Sequence, residues 1–451
     1  MVKKHLNLAI TGGGQAGYTA ALEAAKKGLN VTLFEPQFLG GTCLNVGCIP
    51  TKAYLFHAKE YQTLKKHKAN TSITLKNIKE QTFRSIKRSH MAIENSLKKA
   101  GVKLVTEKIT SFEISNINTA TNNYTYDKLI LATGTTAQIP NNLDKQKSKS
   151  HDFQIPIPES LNYAKNHFTK TVVTNETIFD LESFPKSVTI IGGGVIGVEF
   201  AYFFSSFDIP TTIIEYAPHI LPDTDKDTCQ EIQRLLKRKK VILLENTSVT
   251  KITSDKKIYL NNNTALNTDI ILIATGRSPN IPQTSLTMEL TKLGYLAVNE
   301  YYQTNYDNIY AIGDINGQSL YAHSAADQAE QLIDYLINGT KPIQKTIPSV
   351  IYTDPSFSSI GITSNQITDK HQIKKISFGF SGKAQAEGHS QGWIKTITLE
   401  NQLKGCQIFG YNGEELLPLL TYAIDYEVPL SQLRAIIYAH PTYSELLKEI
   451  F

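Results

Sequence analysis

Cysteine is scarce in this sequence, and long apolar runs are lacking. The 451 residues contain only four cysteines, which excludes the dense disulfide framework of small secreted domains. No apolar stretch approaches the roughly 20 residues that a bilayer-spanning helix needs. The stretch 1–10 is apolar only briefly and has no signal-peptide cleavage site. We therefore expect a soluble, cytoplasmic protein without a membrane partner.

A strong excess of either charge is also lacking. The 46 basic and 41 acidic residues give a formal net charge of +5, too small a bias for a nucleic-acid-binding surface on so long a chain. We therefore expect no nucleic-acid partner. The length exceeds what one hydrophobic core usually organises, so it predicts two to four domains.

The N-terminal segment has the pattern of a dinucleotide-binding βαβ unit. An apolar strand leads into the glycine motif at 12–17, an Ala-rich helix follows, and a second strand ends in Glu35. In such a unit Gly12 makes the tight turn, Gly14 lets the backbone approach a pyrophosphate, and Gly17 permits close packing of helix on strand. Glu35 lies 18 positions after the last glycine, the range for a ribose contact.

The same pattern recurs in the middle of the chain. Gly192, Gly194 and Gly197 follow an apolar strand, and Glu215 lies 18 positions after the last of them. No arginine follows Glu215 directly, and its carboxylate suits a free ribose 2′-hydroxyl but repels a 2′-phosphate. Both motifs could be plain strand-to-helix turns, but that alternative does not explain the repeated acid. The sequence predicts two dinucleotides, with NAD preferred to NADP at the second motif.

Two further apolar runs support an internal repeat. The runs 129–134 and 271–276 both end in Ala-Thr-Gly and are typical of parallel strands. The two halves therefore look like versions of one nucleotide-binding module. We expect Thr133, Gly134 and Gly276 to contact the cofactors.

Two of the cysteines form a close pair. Cys43 and Cys48 lie five positions apart, whereas Cys229 and Cys406 stand alone. In a reducing cytosol such a pair indicates metal binding or redox catalysis. A closed zinc site needs four ligands, and neither a second pair nor a histidine cluster accompanies this one, so we predict no metal. A reversible disulfide at the start of a helix, where the dipole lowers a thiol pKa, is favoured.

Thiol–disulfide exchange also needs a proton acceptor. His440 stands out among the histidines because Glu445, five positions later, could orient its ring. Taken alone, a His-Pro pair in a loop is more often structural. Around it, residues 347–451 alternate strands and then helices, which predicts a separate α+β domain.

The run 40–52, GGTCLNVGCIPTK, resembles the active-site signature of the pyridine nucleotide-disulfide oxidoreductases. Dihydrolipoyl dehydrogenase, glutathione reductase and mercuric reductase belong to that family. The resemblance covers essentially the whole chain and implies an α/β enzyme with FAD and NAD as cofactors. It implies two Rossmann-like, doubly wound parallel-sheet domains and a C-terminal α+β dimerisation domain. The expected boundaries are 1–145 and 271–345 for the FAD-binding domain, 146–270 for the NAD-binding domain and 346–451 for the interface domain.

The resemblance also implies roles for individual residues. Cys43 would exchange with substrate, and Cys48 would lie against the flavin as the charge-transfer thiol. Lys52 and Glu199 would pair beside the flavin and nicotinamide. Asp314, at the end of an apolar run, would contact the ribitol, although a helix N-cap is the structural alternative.

Further residues follow from the same likeness. Gly41, Thr42 and Ala322 are expected among the flavin contacts. His440 and Glu445 would act on the disulfide of the other subunit. The chain would therefore be a homodimer whose active sites are shared between subunits.

Several residues favour dihydrolipoyl dehydrogenase within the family. Glu215 disfavours glutathione reductase, and the absence of a C-terminal cysteine pair disfavours typical mercuric reductases. Val195 stands where reductases of the glutathione type carry a tyrosine. The segments 322–323 and 439–442 are similar to those of the lipoyl enzyme. The implied substrate is a small dithiol or disulfide or a lipoyl domain, including that of a 2-oxo acid dehydrogenase complex.

Other residues depart from the lipoyl pattern. Thr51 stands where those enzymes usually have serine, and the segment 326–329 lacks their acidic, glycine-ended pattern. An NADH-dependent paralogue that reduces a metal ion or an oxidant, similar to the copper-reducing flavoproteins of reactive-chlorine defence, is therefore the alternative. An FAD-binding scaffold without activity is a third possibility, but the intact Cys43, Cys48 and His440 argue against it.

Overall fold

The computed structural model of the protein describes residues 6–69, 72–139, 171–253 and 256–451. The expected domain boundary at 145/146 lies outside the described residues. Within the described ranges, no helix is both long enough and apolar enough to cross a membrane.

Short strands dominate the element order. In the described residues they are β1 (Asn7–Thr11), β2 (Asn30–Phe34), β3 (Lys103–Val105), β4 (Ile109–Phe112), β5 (Asn116–Thr119), β6 (Asn123–Thr125), β7 (Lys128–Leu131), β8 (Thr135–Ala137), β9 (Val172–Thr174), β10 (Val188–Ile191), β11 (Thr211–Ile214), β12 (Ile242–Leu244), β13 (Val249–Ile252), β14 (Lys257–Leu260), β15 (Ala265–Asn267), β16 (Ile270–Ile273), β17 (Arg277–Pro279), β18 (Ile309–Ala311), β19 (Ser349–Ile351), β20 (Ser356–Gly361), β21 (Gln372–Ser377), β22 (Trp393–Leu399) and β23 (Gln402–Gly410).

The α-helices range from 6 to 25 residues in length. In the described residues they are α1 (Gln15–Lys26), α2 (Gly41–Val46), α3 (Cys48–Lys66), α4 (Leu75–Lys99), α5 (Val195–Ser206), α6 (Lys226–Arg238), α7 (Ala322–Asn338), α8 (Gly382–Glu387), α9 (Leu417–Asp425), α10 (Leu430–Ala435) and α11 (Glu445–Ile450).

The first glycine motif lies at the carboxyl end of the central strand of a five-stranded sheet. Its strand order is β18-β7-β1-β2-β3, and neighbouring strands are parallel. The central β1 is buried from Leu8 to Thr11, as expected for a parallel strand that is covered on both faces. Because β18 returns to this sheet from far along the chain, the first nucleotide-binding unit is assembled from two separate stretches.

A second five-stranded parallel sheet repeats the arrangement. Its order is β12-β11-β10-β16-β9, with β10 paired to β11 on one side and to β16 on the other. This sheet extends past the boundary expected at residue 270, because β16 belongs to it. The predicted fold class, with two parallel-sheet nucleotide units, is confirmed.

Close backbone contact explains two of the motif glycines. A Cβ added to Gly17 would lie 1.8 Å from the carbonyl oxygen of Gly12, and one added to Gly197 would lie 2.0 Å from that of Gly192. No side chain fits at such a distance. These glycines let each helix pack directly on the turn that precedes it.

The C-terminal part forms a separate α+β unit. A five-stranded sheet with order β19-β20-β23-β22-β21 has antiparallel neighbours throughout. Helices α9 and α11 contribute Leu420 and Leu447 to an apolar core on this sheet. The predicted C-terminal α+β domain is confirmed.

A buried ion pair joins this unit to the second nucleotide-binding unit. Lys395, on β22, is 2% exposed, and its Nζ lies 2.7 Å from Oδ1 of Asp225, which caps α6. Asp225 also accepts a hydrogen bond from the Ser364 backbone N–H at 2.9 Å, and Lys395 donates to the Ser364 hydroxyl at 2.8 Å. The Lys395 ammonium and the Asp225 carboxylate come from opposite sides of the interface between the two units, and each neutralises the buried charge of the other.

Replacing Lys395 with methionine is expected to destabilise the protein by about 3–5 kcal/mol, because Asp225 would remain as a buried charge without its partner. The matched control is Lys375→Met, since Lys375 lies 3.5 Å from Asp227 at the exposed rim of the same cluster. Its cost should stay within about 1 kcal/mol. Denaturant midpoints of the two FAD-loaded variants measure the difference. Equal midpoints would contradict this account of the interface.

Candidate active site

A cavity of about 2810 Å³ runs between the two nucleotide-binding units. It brings together predicted site residues from both units and from the cysteine pair. They are Gly12, Gly14, Glu35, Gly41, Thr42, Cys43, Cys48, Lys52, Thr133, Gly134, Gly192, Gly194, Glu199, Glu215, Gly276, Asp314 and Ala322. Gly17 and Gly197 pack behind the cavity wall, where they join helix to turn.

Glu35 closes the first strand–helix–strand unit. One carboxylate oxygen accepts the backbone N–H of Gly13 at 2.7 Å, and the other accepts that of Gln37 at 2.8 Å. The carboxylate therefore ties the glycine turn to the end of β2. Its position beside the turn suits a ribose of a bound dinucleotide.

Glu215 repeats this geometry in the second unit. Its oxygens accept the backbone N–H groups of Gly193 at 2.6 Å and Ala217 at 2.8 Å. In front of the turn, a Cβ added to Gly194 would meet no atom within 4 Å. The helix α5 begins there, so its free N–H groups face open space that a pyrophosphate can fill. The residues of both units fit dinucleotides.

The cysteine pair lines the cavity. Cys43 lies in α2, Cys48 begins α3, and both thiols are free. A hydrogen bond from Cys43 is the main cause that lowers the pKa of Cys48 to about 7, and Lys52 lowers it further against the effect of burial. The same hydrogen bond, together with burial, raises the pKa of Cys43. Near neutral pH the negative charge of the pair therefore resides on Cys48.

The loop before Cys43 packs directly on the first glycine turn. Gly41 adopts a φ of +55°, and a Cβ there would lie 2.7 Å from the Cα of Gly14. The Gly40 N–H also donates to the Gly13 carbonyl at 2.8 Å. The position of the dithiol is thus tied to that of the first dinucleotide site.

The predicted Lys52–Glu199 ion pair is present in the structure. Lys52 Nζ lies 2.9 and 2.8 Å from the two oxygens of Glu199, which is 3% exposed. The Tyr352 backbone N–H donates to the same carboxylate at 3.0 Å, and the Tyr352 ring lies 4.4 Å from Lys52 Nζ. A buried carboxylate thus has three hydrogen bonds at the wall of the cavity.

Asp314 lies in a short 3-10 turn that follows β18. It accepts a hydrogen bond from the Thr135 hydroxyl at 3.0 Å. Burial raises the pKa of this carboxyl group, and the Thr135 hydrogen bond opposes that effect. Asp314 does not cap α7, because the residue in the N-cap position is Tyr321. Its carboxylate lines the cavity and can accept hydroxyl groups from a ligand.

Arg277 is a central residue that the sequence did not reveal. Its guanidinium donates to the Thr135 hydroxyl at 2.7 Å, to the Thr135 carbonyl at 2.6 Å and to Glu176 at 3.1 Å. It also lies 3.4 Å from the hydroxyl of Thr42, next to Cys43. A signal was present, because an arginine directly follows the second Ala-Thr-Gly run, where the first run has Thr135.

His440 and Glu445 contact each other away from the cavity. His440 Nδ1 lies 2.9 Å from one Glu445 oxygen, and the Thr442 N–H donates to the other at 2.9 Å. The Thr442 hydrogen bond and then that of His440 lower the pKa of Glu445. The His440 side chain is 79% exposed. Within the described chain, these two residues do not line the cavity that contains Cys43.

A metal site was not expected from the sequence. Among the residues that the structure describes, no group of three or more His, Cys, Asp or Glu side chains could hold a metal ion.

Comparison with known proteins gives two family matches and many relatives. Residues 6–329 match the pyridine nucleotide-disulphide oxidoreductase family, and 347–451 match its dimerisation domain. Dihydrolipoyl dehydrogenase of Mycobacterium tuberculosis H37Rv is 29% identical over 99% of this chain and 97% of its own length. Leghemoglobin reductase of Glycine max is 28% identical over 98% of this chain and 86% of its own length.

Solved structures share the fold. The HOCl-induced flavoprotein disulfide reductase RclA from Escherichia coli has a TM-score of 0.85 and 24% identity, and the alignment covers 98% of this chain and 99% of that one. LpdA from M. tuberculosis has a TM-score of 0.88 and 19% identity, covering 99% and 98%.

The dimerisation domain indicates a homodimer, and the family uses FAD and NAD(H), as predicted. Both nucleotide units and the dithiol between them fit those cofactors. The chain therefore belongs to the class I pyridine nucleotide-disulphide oxidoreductase family, close to dihydrolipoyl dehydrogenase, and is an FAD-dependent NAD oxidoreductase that acts on a sulfur group.

Proposed function

We propose that this enzyme oxidises dihydrolipoamide, free or carried on a lipoyl domain, with NAD as the electron acceptor. The observation that carries the proposal is the free dithiol between two nucleotide units, with the pKa of Cys48 at about 7. Relatives named dihydrolipoyl dehydrogenase align over nearly the whole chain and support this substrate. Glu215, without a neighbouring arginine, supports NAD.

In this proposal the two cysteines have different tasks. A substrate thiolate attacks Cys43 of the oxidised pair, forms a mixed disulfide and releases Cys48 as a thiolate. The second substrate thiol, once deprotonated, attacks the substrate sulfur of the mixed disulfide and releases Cys43, so the substrate leaves as a cyclic disulfide. The low pKa of Cys48 makes it a good leaving group, because exchange is faster when the departing thiol is more acidic.

The cavity residues hold and orient the cofactors. When bound, FAD would supply the two-electron chemistry that links the reduced thiol pair to NAD. Glu35 and Asp314 would hold the flavin dinucleotide, and Glu215 the NAD ribose. The fixed charge of Lys52, 2.8 Å from Glu199, lies on the same wall and helps to keep Cys48 ionised.

A proton acceptor for the substrate dithiol would come from the partner subunit. In the described chain His440 is exposed, is already oriented by Glu445 and does not line the cavity that contains the dithiol. Because the chain forms a homodimer, this exposed pair can face the dithiol of the second copy. The two active sites would then each contain residues of both subunits.

We place the enzyme in the cytoplasm, because a redox dithiol that must cycle through its reduced state suits a reducing compartment. Its proposed protein partner is the lipoyl domain of a 2-oxo acid dehydrogenase complex.

A metal- or oxidant-reducing enzyme is the second candidate function. Thr51, buried at the start of α3, is the feature that favours it, since serine is usual there in lipoyl enzymes and the copper-reducing flavoproteins share the Ile-Pro-Thr-Lys ending. The E. coli HOCl-induced reductase, also solved as a Cu(II) complex, has the same fold. NADH would then drive electrons through the dithiol toward the oxidant.

Steady-state turnover separates the two candidates. Purified, FAD-loaded protein should reduce NAD rapidly with dihydrolipoamide and oxidise NADH slowly with glutathione disulfide, mercuric ion or cupric ion. Dihydrolipoamide carries both thiols, so one molecule can form the mixed disulfide with Cys43 and then leave as a cyclic disulfide. No turnover of dihydrolipoamide together with rapid oxidation of NADH by a metal ion or oxidant would favour the second candidate.

Serine variants test the division of labour between the thiols. Cys43→Ser should keep FAD and the flavin–thiolate charge-transfer absorbance but lose dithiol turnover. Cys48→Ser should lose both the charge-transfer absorbance and dithiol turnover. Cys229→Ala is the control, because Cys229 is buried away from the dithiol and its pKa is raised to about 11. Visible spectra and dihydrolipoamide kinetics give the readouts. Full dithiol turnover in either serine variant would exclude the relay.

His440→Gln tests the shared site. Loss of the proton acceptor should reduce dithiol turnover by about 10²–10⁴-fold, while His67→Gln, at an exposed histidine, should not. Mixed dimers of Cys43→Ser and His440→Gln chains should regain about a quarter of wild-type activity, because half of the dimers would contain one complete site. No recovery in verified mixed dimers would show that both residues act within one chain.

A further inference from the structure

Helix α4 carries a histidine that reaches the turn containing the cysteines. The Nε2 atom of His90 lies 2.5 Å from the Oδ1 atom of Asn45, 45 residues earlier in the chain. Asn45 lies in α2 between Cys43 and Cys48. The contact therefore links a long peripheral helix to the redox segment.

The amide of Asn45 is fully engaged. Its Nδ2 atom donates to the Gly41 carbonyl at 2.7 Å and to the Leu39 carbonyl at 3.1 Å. Both amide hydrogens are used, so Oδ1 must face His90, and the His90 Nε2 atom must carry the proton. A series of hydrogen bonds thus links His90, through Asn45, to the loop that precedes Cys43.

The other contacts of this loop leave it little freedom. The His90 ring lies parallel to that of Phe38, with centroids 6.0 Å apart and planes 3° from parallel, and this contact favours the orientation of the histidine ring. Gly41 packs against the Cα of Gly14. The loop is held by the glycine turn on one side and by Asn45 on the other.

We propose that His90 is a positioning residue for the exchange thiol, holding Asn45 and the loop 39–41 so that Cys43 stays in hydrogen-bond contact with Cys48. This inference rests on the proposed disulfide exchange. His90 contacts neither substrate nor cofactor and acts through Asn45.

Removing the His90 donor has a defined consequence. The Oδ1 atom of Asn45 would lose its partner, the amide could rotate, and the loop carbonyls would lose a fixed donor. Cys43 would then hold its hydrogen bond to Cys48 less well. Because that bond is the main cause of the low pKa of Cys48, the pKa should rise, with Lys52 and Glu199 still in place beside it.

The first measurement compares His90→Leu with His90→Gln. The side-chain amide of glutamine can place a donor close to the position of Nε2, whereas leucine has none. His90→Leu should lower kcat/KM for dihydrolipoamide about tenfold, and His90→Gln should stay within about threefold of the wild type. Asn45→Asp, which lacks the donating amide, should fall like the leucine variant. Lys87→Leu, an apolar substitution at an exposed position of the same helix, is the control.

A second measurement reads the thiols without turnover. The reduced, FAD-loaded protein is labelled with iodoacetamide over a range of pH, and the label on each cysteine is quantified by mass spectrometry. The midpoint for Cys48 should move to higher pH in His90→Leu by about half a unit, roughly a threefold change in the proton equilibrium, and should stay unchanged in His90→Gln.

The outcomes separate this inference from the proposed function. A wild-type protein that does not turn over dihydrolipoamide would overturn the proposed function, while the labelling midpoints would still test His90. A His90→Leu protein that matches the wild type in both measurements would overturn the inference. A His90→Gln protein as impaired as His90→Leu would do the same, because the donor would not be the relevant property. If His90→Leu does not fold, His90→Ser removes the ring without adding an apolar group and is judged by the same criteria.

Discussion

The carboxylate of Glu199 is the group on which the arrangement of the active cavity depends. It is almost completely buried, and its charge is balanced by Lys52 and by the Tyr352 N–H. These partners come from α3 on the flavin side and from the connection after β19 in the C-terminal unit, while Glu199 itself lies on α5 of the second nucleotide unit. Without the charge of Lys52, the buried Glu199 carboxylate would cost several kcal/mol, on the order of 3–5. The three units are therefore held in one relative position at the point where the chemistry takes place.

The two nucleotide units share local geometry but differ where they meet. Glu35 and Glu215 each accept hydrogen bonds from two backbone N–H groups, and these groups occupy equivalent positions in the two units. After the Ala-Thr-Gly runs, however, the first unit has Thr135 and the second has Arg277. The short strands β8 and β17 pair antiparallel at this point, so the guanidinium of one unit binds the hydroxyl and carbonyl of the other. The two similar nucleotide units thus differ in sequence at the place where they contact each other.

Features with short, fixed spacing could be predicted from the sequence, and features set by distant packing could not. The glycine turns, the acids that follow them and the helix after Cys48 each depend on fewer than about 30 neighbouring residues, as in any βαβ unit. By contrast, Arg277 reaches Thr42 across 235 positions, and Lys395 reaches Asp225 across 170. The strand β16 has nearly the same ending as β7, so its sequence alone did not reveal which sheet it joins. The Lys52–Glu199 contact was predicted only because the family pairs these positions.

The paired N–H bonds of Glu215 constrain how this enzyme could evolve. Its carboxylate is fixed by Gly193 and Ala217 before any ligand arrives, so at the proposed NAD site it cannot turn away from a 2′-phosphate. A single substitution by arginine would remove the repulsion and also leave two backbone donors without their acceptor, each at a cost of about 1–3 kcal/mol if water cannot reach it. A lineage that changed to the phosphorylated cofactor would need a compensating change in the turn at nearly the same time. The same side chain thus sets the cofactor preference and stabilises the loop, so a change of cofactor preference requires more than one substitution.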